Sequence, residues 1–300
     1  MLSRITQYLN RYQRKKLQAK KEAKRRSDRE NYLQGGRVPW SPGYVPYKEQ
    51  FIKDSLQNDD LLRAFSASET LNDFGLRLDE RVVEYPWIFS NLPKDHCKLL
   101  DGGSTFNFDF IVNHPTIKNK DLTIFTFEPE RSCFYKNKIS YIYGDLRDMY
   151  LKDDSFDYVV SQSTIEHIDM DNSIYGYDIA HNEDANEKSF EYVKAIQEMI
   201  RILKPGGTLL LTFPFGKFEN HGFFQQFDDE MLSRITHLFD NKGETSLTFF
   251  RYLTSGWVFC EQMDCQDIES FNPHTGVGKQ DDGAAHCRSV CCIKFVKNDH

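Results

Sequence analysis

The sequence lacks the features that mark membrane-spanning and secreted proteins. It has no run of 18 apolar residues, so we expect no transmembrane helix. Its N-terminal stretch lacks the apolar segment of a signal peptide. The seven cysteines are odd in number and form no CxxC pair, which favours a reducing compartment over a disulfide framework. We therefore predict a cytoplasmic protein, and 300 residues with 39% hydrophobic content are enough for a large core.

Metal-ligand spacing is also lacking. Cys260, Cys265, His286 and Cys287 do not form the paired pattern of a zinc site. Segment 169–187 is rich in acidic residues that suit a divalent cation, but a solvated acidic loop explains this composition equally simply. We therefore predict no metal site from the sequence.

Charge is unevenly distributed along the chain. Residues 1–30 contain 11 of the 38 basic residues and only 3 of the 45 acidic ones, so this stretch is basic and the remainder is acidic. Leu2, Ile5, Leu9 and Tyr12 recur there at helical spacing, which predicts a basic helical arm over residues 1–34. Such an arm suits RNA, weak contact with an anionic membrane surface, or an acidic partner.

Residues 35–95 connect this arm to the rest of the chain. Gly35–Tyr47 has the Pro and Gly of a linker, but its aromatic residues Trp40 and Tyr44 predict that it packs on the protein. Residues 48–92 have apolar residues at helical spacing. We predict a helical extension or lid over 35–95 and a main domain over 96–300.

From Lys98 onward, short apolar segments alternate with helical ones. A helical segment from Glu187 is expected to end at Lys204-Pro205-Gly206-Gly207. This alternation predicts an α/β fold with a Rossmann-like, doubly wound, mostly parallel sheet, and two late strands predict an antiparallel C-terminal edge. The predicted strands are 98–103, 121–130, 138–146, 156–163, 208–216, 245–253 and 288–297.

Ligands of such sheets bind at the carboxyl ends of the strands, and four predicted strand ends carry suitable groups. The first has only two adjacent glycines, whereas a dinucleotide loop needs the three of GxGxxG to surround a diphosphate. A nicotinamide cofactor is therefore disfavoured. The four strand ends are Asp101-Gly102-Gly103-Ser104, Glu128, Asp145-Leu146 and Ser161-Gln162.

Three segments resemble the class I S-adenosylmethionine-dependent methyltransferases. They are LLDGGS at 99–104, GDLRDMYLKDDSFDYVVSQSTIEHI at 144–168, and EMIRILKPGGTLLLTFPFG at 198–216. The STIEHI and Pro-Phe-Gly stretches resemble the branch that methylates small molecules and glycan-associated substrates. The resemblance implies S-adenosylmethionine as cofactor.

The resemblance also implies roles for the strand ends. The Asp101–Ser104 loop, with Gly102 and Gly103, would let the backbone approach the methionine moiety. Glu128 would bind the ribose hydroxyls, Asp145 and the Leu146 N–H the adenine, and Ser161 and Gln162 the methionine end.

Glu166 and His167 follow the fourth strand, where a helix is expected, and are the candidate catalytic residues, because a hydroxyl acceptor needs a nearby base. Tyr175, Tyr177 and His181 of the next loop, and His221 after the fifth strand, are candidate substrate residues.

We predict methyl transfer to a hydroxyl of a small molecule or saccharide by direct in-line displacement. Two alternatives remain open: an RNA methyltransferase that uses the basic arm, and a non-catalytic cofactor-binding or scaffold protein. The "SQST" at 161–164 is not the Asn-Pro-aromatic tetrapeptide expected for nucleobase amino groups, which argues against the first. The sequence leaves the oligomeric state undetermined.

Overall fold

A mixed sheet with helices on both faces forms the fold in a computed structural model, which describes residues 2–130, 132–177, 179–182, 184 and 187–299. For residues 2–11 and 14 it describes the backbone alone. The helices are α1 (Leu2–Gln34), α2 (Tyr44–Leu56), α3 (Asp59–Ala67), α4 (Arg81–Asn91), α5 (Asp109–Val112), α6 (Pro115–Lys118), α7 (Tyr192–Ile202) and α8 (Asp229–His237). The strands are β1 (Lys98–Gly102), β2 (Asp121–Thr126), β3 (Ser140–Tyr143), β4 (Phe156–Gln162), β5 (Leu203–Pro214), β6 (Glu219–Asn220), β7 (Gln225–Gln226), β8 (Gly243–Leu253), β9 (Gly256–Cys260) and β10 (Ser289–Lys297). Within this described part, no helix has the length and apolar character needed to cross a membrane.

The main sheet has the order β3-β2-β1-β4-β5-β10-β8-β9. Strands β1 to β5 are parallel, and β10 pairs antiparallel with both β5 and β8. The predicted Rossmann-like sheet with an antiparallel C-terminal edge is confirmed. Strand order reverses between β1 and β4, and that reversal opens a crevice at the carboxyl ends of the two strands.

Successive residues along the strands pack on opposite faces of the sheet. Leu99 packs with the helices of the N-terminal extension, whereas Leu100 packs with α7. The pair Leu210 and Leu209 divides in the same way between the two cores. Because side chains alternate along a strand, a continuous apolar run is what a strand buried on both faces requires.

Aromatic residues of the segment from Gly35 to Tyr47 make contacts with other parts of the protein. The Trp40 indole Nε1 donates to the carbonyl of Ala285 at 2.6 Å, and Tyr44 is buried. Tyr32, near the end of α1, is buried beside Tyr44, with ring centroids 5.8 Å apart. Of the apolar residues predicted along the arm, Tyr12 is exposed, and Leu2, Ile5 and Leu9 lie outside the described side chains.

The Lys204-Pro205-Gly206-Gly207 turn does not cap a helix, contrary to the sequence prediction. Helix α7 ends at Ile202, and the four residues lie within β5. The pairing with β4 shifts there, from Phe156 opposite Leu203 to Tyr158 opposite Thr208. Gly206 has a φ of +70°, so the glycine serves a bulge at the start of the strand.

Candidate functional site

A cavity of about 360 Å³ lies at the carboxyl ends of β1 to β4, where the strand order reverses. This volume falls within the range of small-molecule sites. Residues that follow each of the four strands line it, together with Arg81 of α4 and part of the loop after β4. Of the predicted cofactor residues, the cavity wall contains Gly103, Asp145 and Leu146.

The loop after β1 needs a glycine at position 103. Gly103 has a φ of +124°, and a β-carbon placed on it would lie 2.0 Å from Oγ1 of Thr164. Its amide donates to the Phe125 carbonyl at 2.9 Å, which holds the loop against β2. Because Gly103 has no side chain, the backbone of this loop can approach a ligand closely. Gly102 instead faces Leu146 and Met199 in the core.

The side chain of Asp101 binds the same loop from beneath. It accepts hydrogen bonds from the Thr105 amide at 3.3 Å, the Thr105 hydroxyl at 3.1 Å and the Phe106 amide at 2.7 Å. Burial raises the pKa of Asp101 to about 7 despite these bonds. In a dinucleotide-binding loop, such backbone amides would donate hydrogen bonds to the diphosphate. Here the Thr105 and Phe106 amides donate to Asp101 instead. Ser104 is buried with a φ of +63° and does not line the cavity.

The end of β2 presents Glu130 to the cavity rather than the predicted Glu128. Glu128 and Glu130 are both exposed beyond the strand, but of the two only Glu130 lines the cavity. Asn107, from the loop after β1, donates to Oε2 of Glu130 at 2.8 Å and accepts from the Tyr141 hydroxyl at 2.9 Å. This buried asparagine ties the two loops together, and its only sequence signal was a polar residue closely following the glycine pair.

Asp145 lies in the wall, and Arg147 is already bound to it. The guanidinium Nε and Nη2 donate to the carboxylate at 3.0 and 2.7 Å, and the Arg147 amide donates at 2.8 Å. Burial favours a higher pKa for Asp145, but these bonds outweigh it and hold the pKa below its usual value. The carboxylate is therefore ionised at neutral pH and remains a hydrogen-bond acceptor.

Ser161 and Gln162 are fully buried and do not line the cavity, whereas Ser163 and Thr164 do. The Gln162 carbonyl accepts from Nη1 of Arg81 at 3.2 Å. The structure therefore does not bring the two predicted residues to the cavity wall.

Helix α4 places a buried carboxylate behind these strand ends. Glu84 is fully buried and accepts from the hydroxyl of Thr212 at 2.6 Å and from Nη1 of Arg81 at 3.1 Å. The Ser163 hydroxyl and the Gln162 amide also donate to it. Sequence reasoning missed Arg81 and Glu84, because nothing local in α4 indicates a partner on β4 or β5.

Glu166 and His167 lie on a short 3-10 turn, Ile165–His167, rather than on a longer helix. His167 lines the cavity, and its Nδ1 lies 2.6 Å from the Phe223 carbonyl. Burial lowers the pKa of His167 to about 4, so the ring is neutral at pH 7. A neutral ring that donates from Nδ1 keeps a lone pair on Nε2. Glu166 is buried outside the wall, and burial raises its pKa well above the usual value.

Two of the four predicted substrate residues lie in the wall. Tyr175 contacts His167 edge-on, with ring centroids 5.4 Å apart, and Tyr177 packs on Phe127 at 5.6 Å. His181 lies outside the wall, with Nδ1 3.0 Å from its neighbouring Ile179 carbonyl. His221 is also outside it, stacked on a phenylalanine and bonded to Ser270 at 2.9 Å.

These residues fit S-adenosylmethionine. The glycine cradle at Gly103 gives backbone access, Asp145 and Glu130 supply carboxylates for an amine and a diol, and Phe125, Leu146 and Ile168 supply apolar contact for a base. Among the described residues, no loop in this wall is built to surround a diphosphate.

Part of the chain matches a known protein family. Residues 127–211 match a family described as a methyltransferase domain. The comparison with curated proteins gives no match.

Solved structures similar to this chain include several methyltransferases. One is a 1,6-didemethyltoxoflavin N1-methyltransferase from Burkholderia thailandensis with 1,6-didemethyltoxoflavin and S-adenosylhomocysteine bound, at 10% identity and a TM-score of 0.39, covering 68% of this chain and 72% of that one. Another is the N-methyltransferase NodS from Bradyrhizobium japonicum, at 14% identity and a TM-score of 0.39, covering 68% and 88%. A third is the YcgJ protein from Bacillus subtilis, at 13% identity and a TM-score of 0.42, covering 69% and 94%. At these values they carry no inference about the acceptor.

The sheet order and the cavity at its reversal accompany residues 127–211, which match a methyltransferase domain. The chain is therefore a methyltransferase, and the residues of the cavity wall fit S-adenosylmethionine as its methyl donor.

Proposed function

We propose that the enzyme methylates a hydroxyl group of a small molecule or saccharide, with His167 as the base. The observation that carries this proposal is the state of His167: its ring lines the cavity, is neutral at pH 7 and is fixed through Nδ1 to a carbonyl. The sequence resemblance of STIEHI to the small-molecule and glycan-associated branch supports the same acceptor class.

The base acts on the acceptor proton. Bound S-adenosylmethionine supplies an electrophilic methyl group on a sulfonium. Nε2 of His167 would take the proton from the acceptor hydroxyl as the oxygen bonds to the methyl carbon and the carbon–sulfur bond breaks, which would leave neutral S-adenosylhomocysteine and an imidazolium ring. Oε1 of Glu166 lies 3.9 Å from Nε2 and therefore close to that new charge. An amine acceptor would need no such base once it is deprotonated, so a fixed neutral imidazole favours oxygen.

The loop after β4 covers the acceptor side of the cavity. Tyr175 packs against His167, and Tyr177 packs against Phe127, which follows β2. These two rings come from one loop and contact two different strand ends. We infer that they hold the acceptor against His167 and reduce the access of water.

The proposal is tested with a panel of sugars, glycosides, phenols and amines, by measuring S-adenosylhomocysteine release and locating the new methyl group by NMR. We expect O-methyl products. His167→Asn keeps a donor for the Phe223 carbonyl and should lower kcat by roughly 10²- to 10⁴-fold with little change in cofactor affinity. Methylation confined to amines, or an unchanged kcat for His167→Asn, would contradict the proposal.

A second candidate acceptor class is RNA, favoured by the exposed cations of α1. Lys15, Lys16, Lys20 and Lys21 are exposed, and among the described residues none of them forms an ion pair. The salt dependence is measured as the slope of the logarithm of the RNA-binding constant against the logarithm of the salt concentration. Replacing all four lysines with Gln should make this slope shallower by about 0.7 for each phosphate that the arm no longer neutralises. RNA binding with an unchanged salt slope would argue against this acceptor class.

A further inference from the structure

Three side chains with metal-ligand atoms converge outside the cofactor cavity. Nδ1 of His286 lies 3.2 Å from Oε1 of Glu80 and 3.1 Å from Sγ of Cys287. The three ligand atoms all lie within 4.8 Å of one another. Glu80 immediately precedes α4, whereas His286 and Cys287 precede β10, so the cluster joins segments about two hundred residues apart in sequence.

Hydrogen bonds within this cluster cannot pair both the Glu80 carboxylate and the Cys287 thiol with His286. Both the carboxylate and the thiol approach the same ring nitrogen, which has either one hydrogen or one lone pair. A Cys-His-Glu relay would instead place the thiol and the carboxylate on opposite ring nitrogens. The thiol of Cys287 is 4.0 Å from Nε2 and 3.1 Å from Nδ1, so the relay arrangement is absent from this cluster.

The surroundings of the cluster hold carboxylate atoms without partners. Glu80 is 6% exposed and its Oε2 is buried with no hydrogen-bond partner among the described residues. Oε2 of the nearby buried Glu166 is in the same state. Leaving a buried carboxylate oxygen unpaired is costly, because the protein interior solvates charge poorly. Arg81 is the guanidinium close to these groups, and its Nη1 already donates to Glu84.

We propose that Glu80, His286 and Cys287 bind one zinc-type divalent transition-metal ion. A mixed oxygen, nitrogen and sulfur donor set suits zinc, and a thiolate disfavours Mg²⁺ and Ca²⁺, which take oxygen ligands. With zinc bond lengths, a tetrahedral ion places its ligand atoms about 3.3 to 3.6 Å apart. This is close to the 3.2 and 3.1 Å that separate Nδ1 of His286 from Oε1 of Glu80 and Sγ of Cys287. Three protein ligands leave a fourth position for water or another ligand.

The metal site would fasten the N-terminal extension to the core beside the acceptor side of the cavity. The ring of Phe224 lies 4.8 Å from His286 and 6.3 Å from His167, between centroids, so one aromatic layer separates the two histidines. Residue 80 adjoins Arg81, which lines the cavity. No local sequence pattern indicates this cluster, because its glutamate is so distant from the His-Cys pair.

The direct test is titration of the chelator-stripped, reduced full-length protein with Co²⁺. We expect one equivalent per chain, the visible absorption of a four-coordinate site, and a near-ultraviolet thiolate-to-cobalt band that Zn²⁺ abolishes. Cys287→Ser should remove the near-ultraviolet band. Glu80→Gln should keep that band and weaken affinity at least tenfold, because it removes one charged ligand.

The matched control is Cys260→Ser. Cys260 and Cys265 have Sγ atoms 3.3 Å apart and are another pair of neighbouring thiols, so they must be excluded as the source of the band. Cys260→Ser should leave the titration unchanged. Uptake of less than about a tenth of an equivalent by the wild type would overturn the proposal, as would loss of the band in Cys260→Ser with its retention in Cys287→Ser. Calorimetry of S-adenosylhomocysteine binding to the stripped protein shows whether the cofactor site is intact when the metal site is empty. It therefore distinguishes failure of the metal proposal from failure of the proposed methyl transfer.

Discussion

Thr164 occupies the space that a β-carbon on Gly103 would need, with its Oγ1 only 2.0 Å from that position. Gly103→Ala must therefore displace Thr164 or the loop after β1, in addition to straining a positive φ. We expect this variant to lose the rise in melting temperature that S-adenosylhomocysteine gives the wild type.

Gly176→Ala is the matched control for Gly103→Ala. Gly176 also has a positive φ, +91°, but a β-carbon there would meet no atom within 4 Å. Its cost is limited to backbone strain, and ligand stabilisation should persist. If both variants respond to ligand as the wild type does, the loop after β1 does not carry the cofactor.

The structure favours Glu130 as the carboxylate that binds the ribose, whereas the sequence indicated Glu128. Both side chains are exposed, but Glu130 lines the cavity and is held by Asn107, whereas Glu128 lies outside the wall. Glu130→Gln should weaken S-adenosylhomocysteine binding about five- to a hundredfold, the cost of a charged hydrogen bond, while Glu128→Gln changes it less than twofold. A larger loss in Glu128→Gln, measured by calorimetry, would restore the residue that the sequence indicated.

The lowered pKa of His167 makes the stability of the protein depend on pH. Its folded pKa of about 4 lies below the unfolded value near 6.5, so the unfolded chain binds more protons between these values. Stability from this group is therefore present above pH 6.5 and is lost as pH falls toward 4. The titratable and charged groups that act on His167 are Glu166, Arg81, Glu80, His286 and Tyr175.

Urea unfolding at pH 7.5 and pH 5 measures this dependence. His167→Asn should lose less stability on acidification than the wild type, because it removes the group that must take up a proton on unfolding. Equal losses in the two proteins would show that the ring of His167 is not held neutral.

Removal of the Glu84 carboxylate is expected to cause a large loss of stability. It leaves the half-buried Arg81 without this partner and leaves the Thr212 hydroxyl without an acceptor. Glu84→Ala should lower the free energy of unfolding by about 3–5 kcal/mol, the range for breaking a buried charge pair. Asp60→Ala removes the exposed partner of Arg63 and should cost less than about 1 kcal/mol in the same urea titration. Similar losses in both would contradict the buried network.

Local signals predicted the fold because the strands are buried on both faces. Leu99-Leu100 and Leu209-Leu210 read as continuous apolar runs for that reason. Strand β9 was missed, although the Gly256 turn, with a φ of +121°, was the available signal. The glycines at 206–207 were assigned to a helix end because a bulge and a helix cap both use glycine at positive φ.

Long-range contacts limited the prediction of the site. Asp145, Gly103 and His167 follow strands, so their place in the wall could be predicted from the sequence. Arg81 and Glu84 reach the same strand ends from a helix that precedes β1, and no local pattern encodes that approach. His181 and His221 were chosen by residue type, but backbone and serine contacts hold them outside the cavity.

Calorimetry of S-adenosylhomocysteine binding tests the central assignment most directly, with Asp145→Ala and Asp148→Ala beside the wild type. Asp145 lines the cavity, whereas Asp148 is exposed three residues away. The wild type and Asp148→Ala should bind one ligand per chain with equal affinity, and Asp145→Ala should bind at least about five- to tenfold more weakly. No binding by the wild type, or equal binding by all three, would contradict a cofactor site at the ends of β1 to β4.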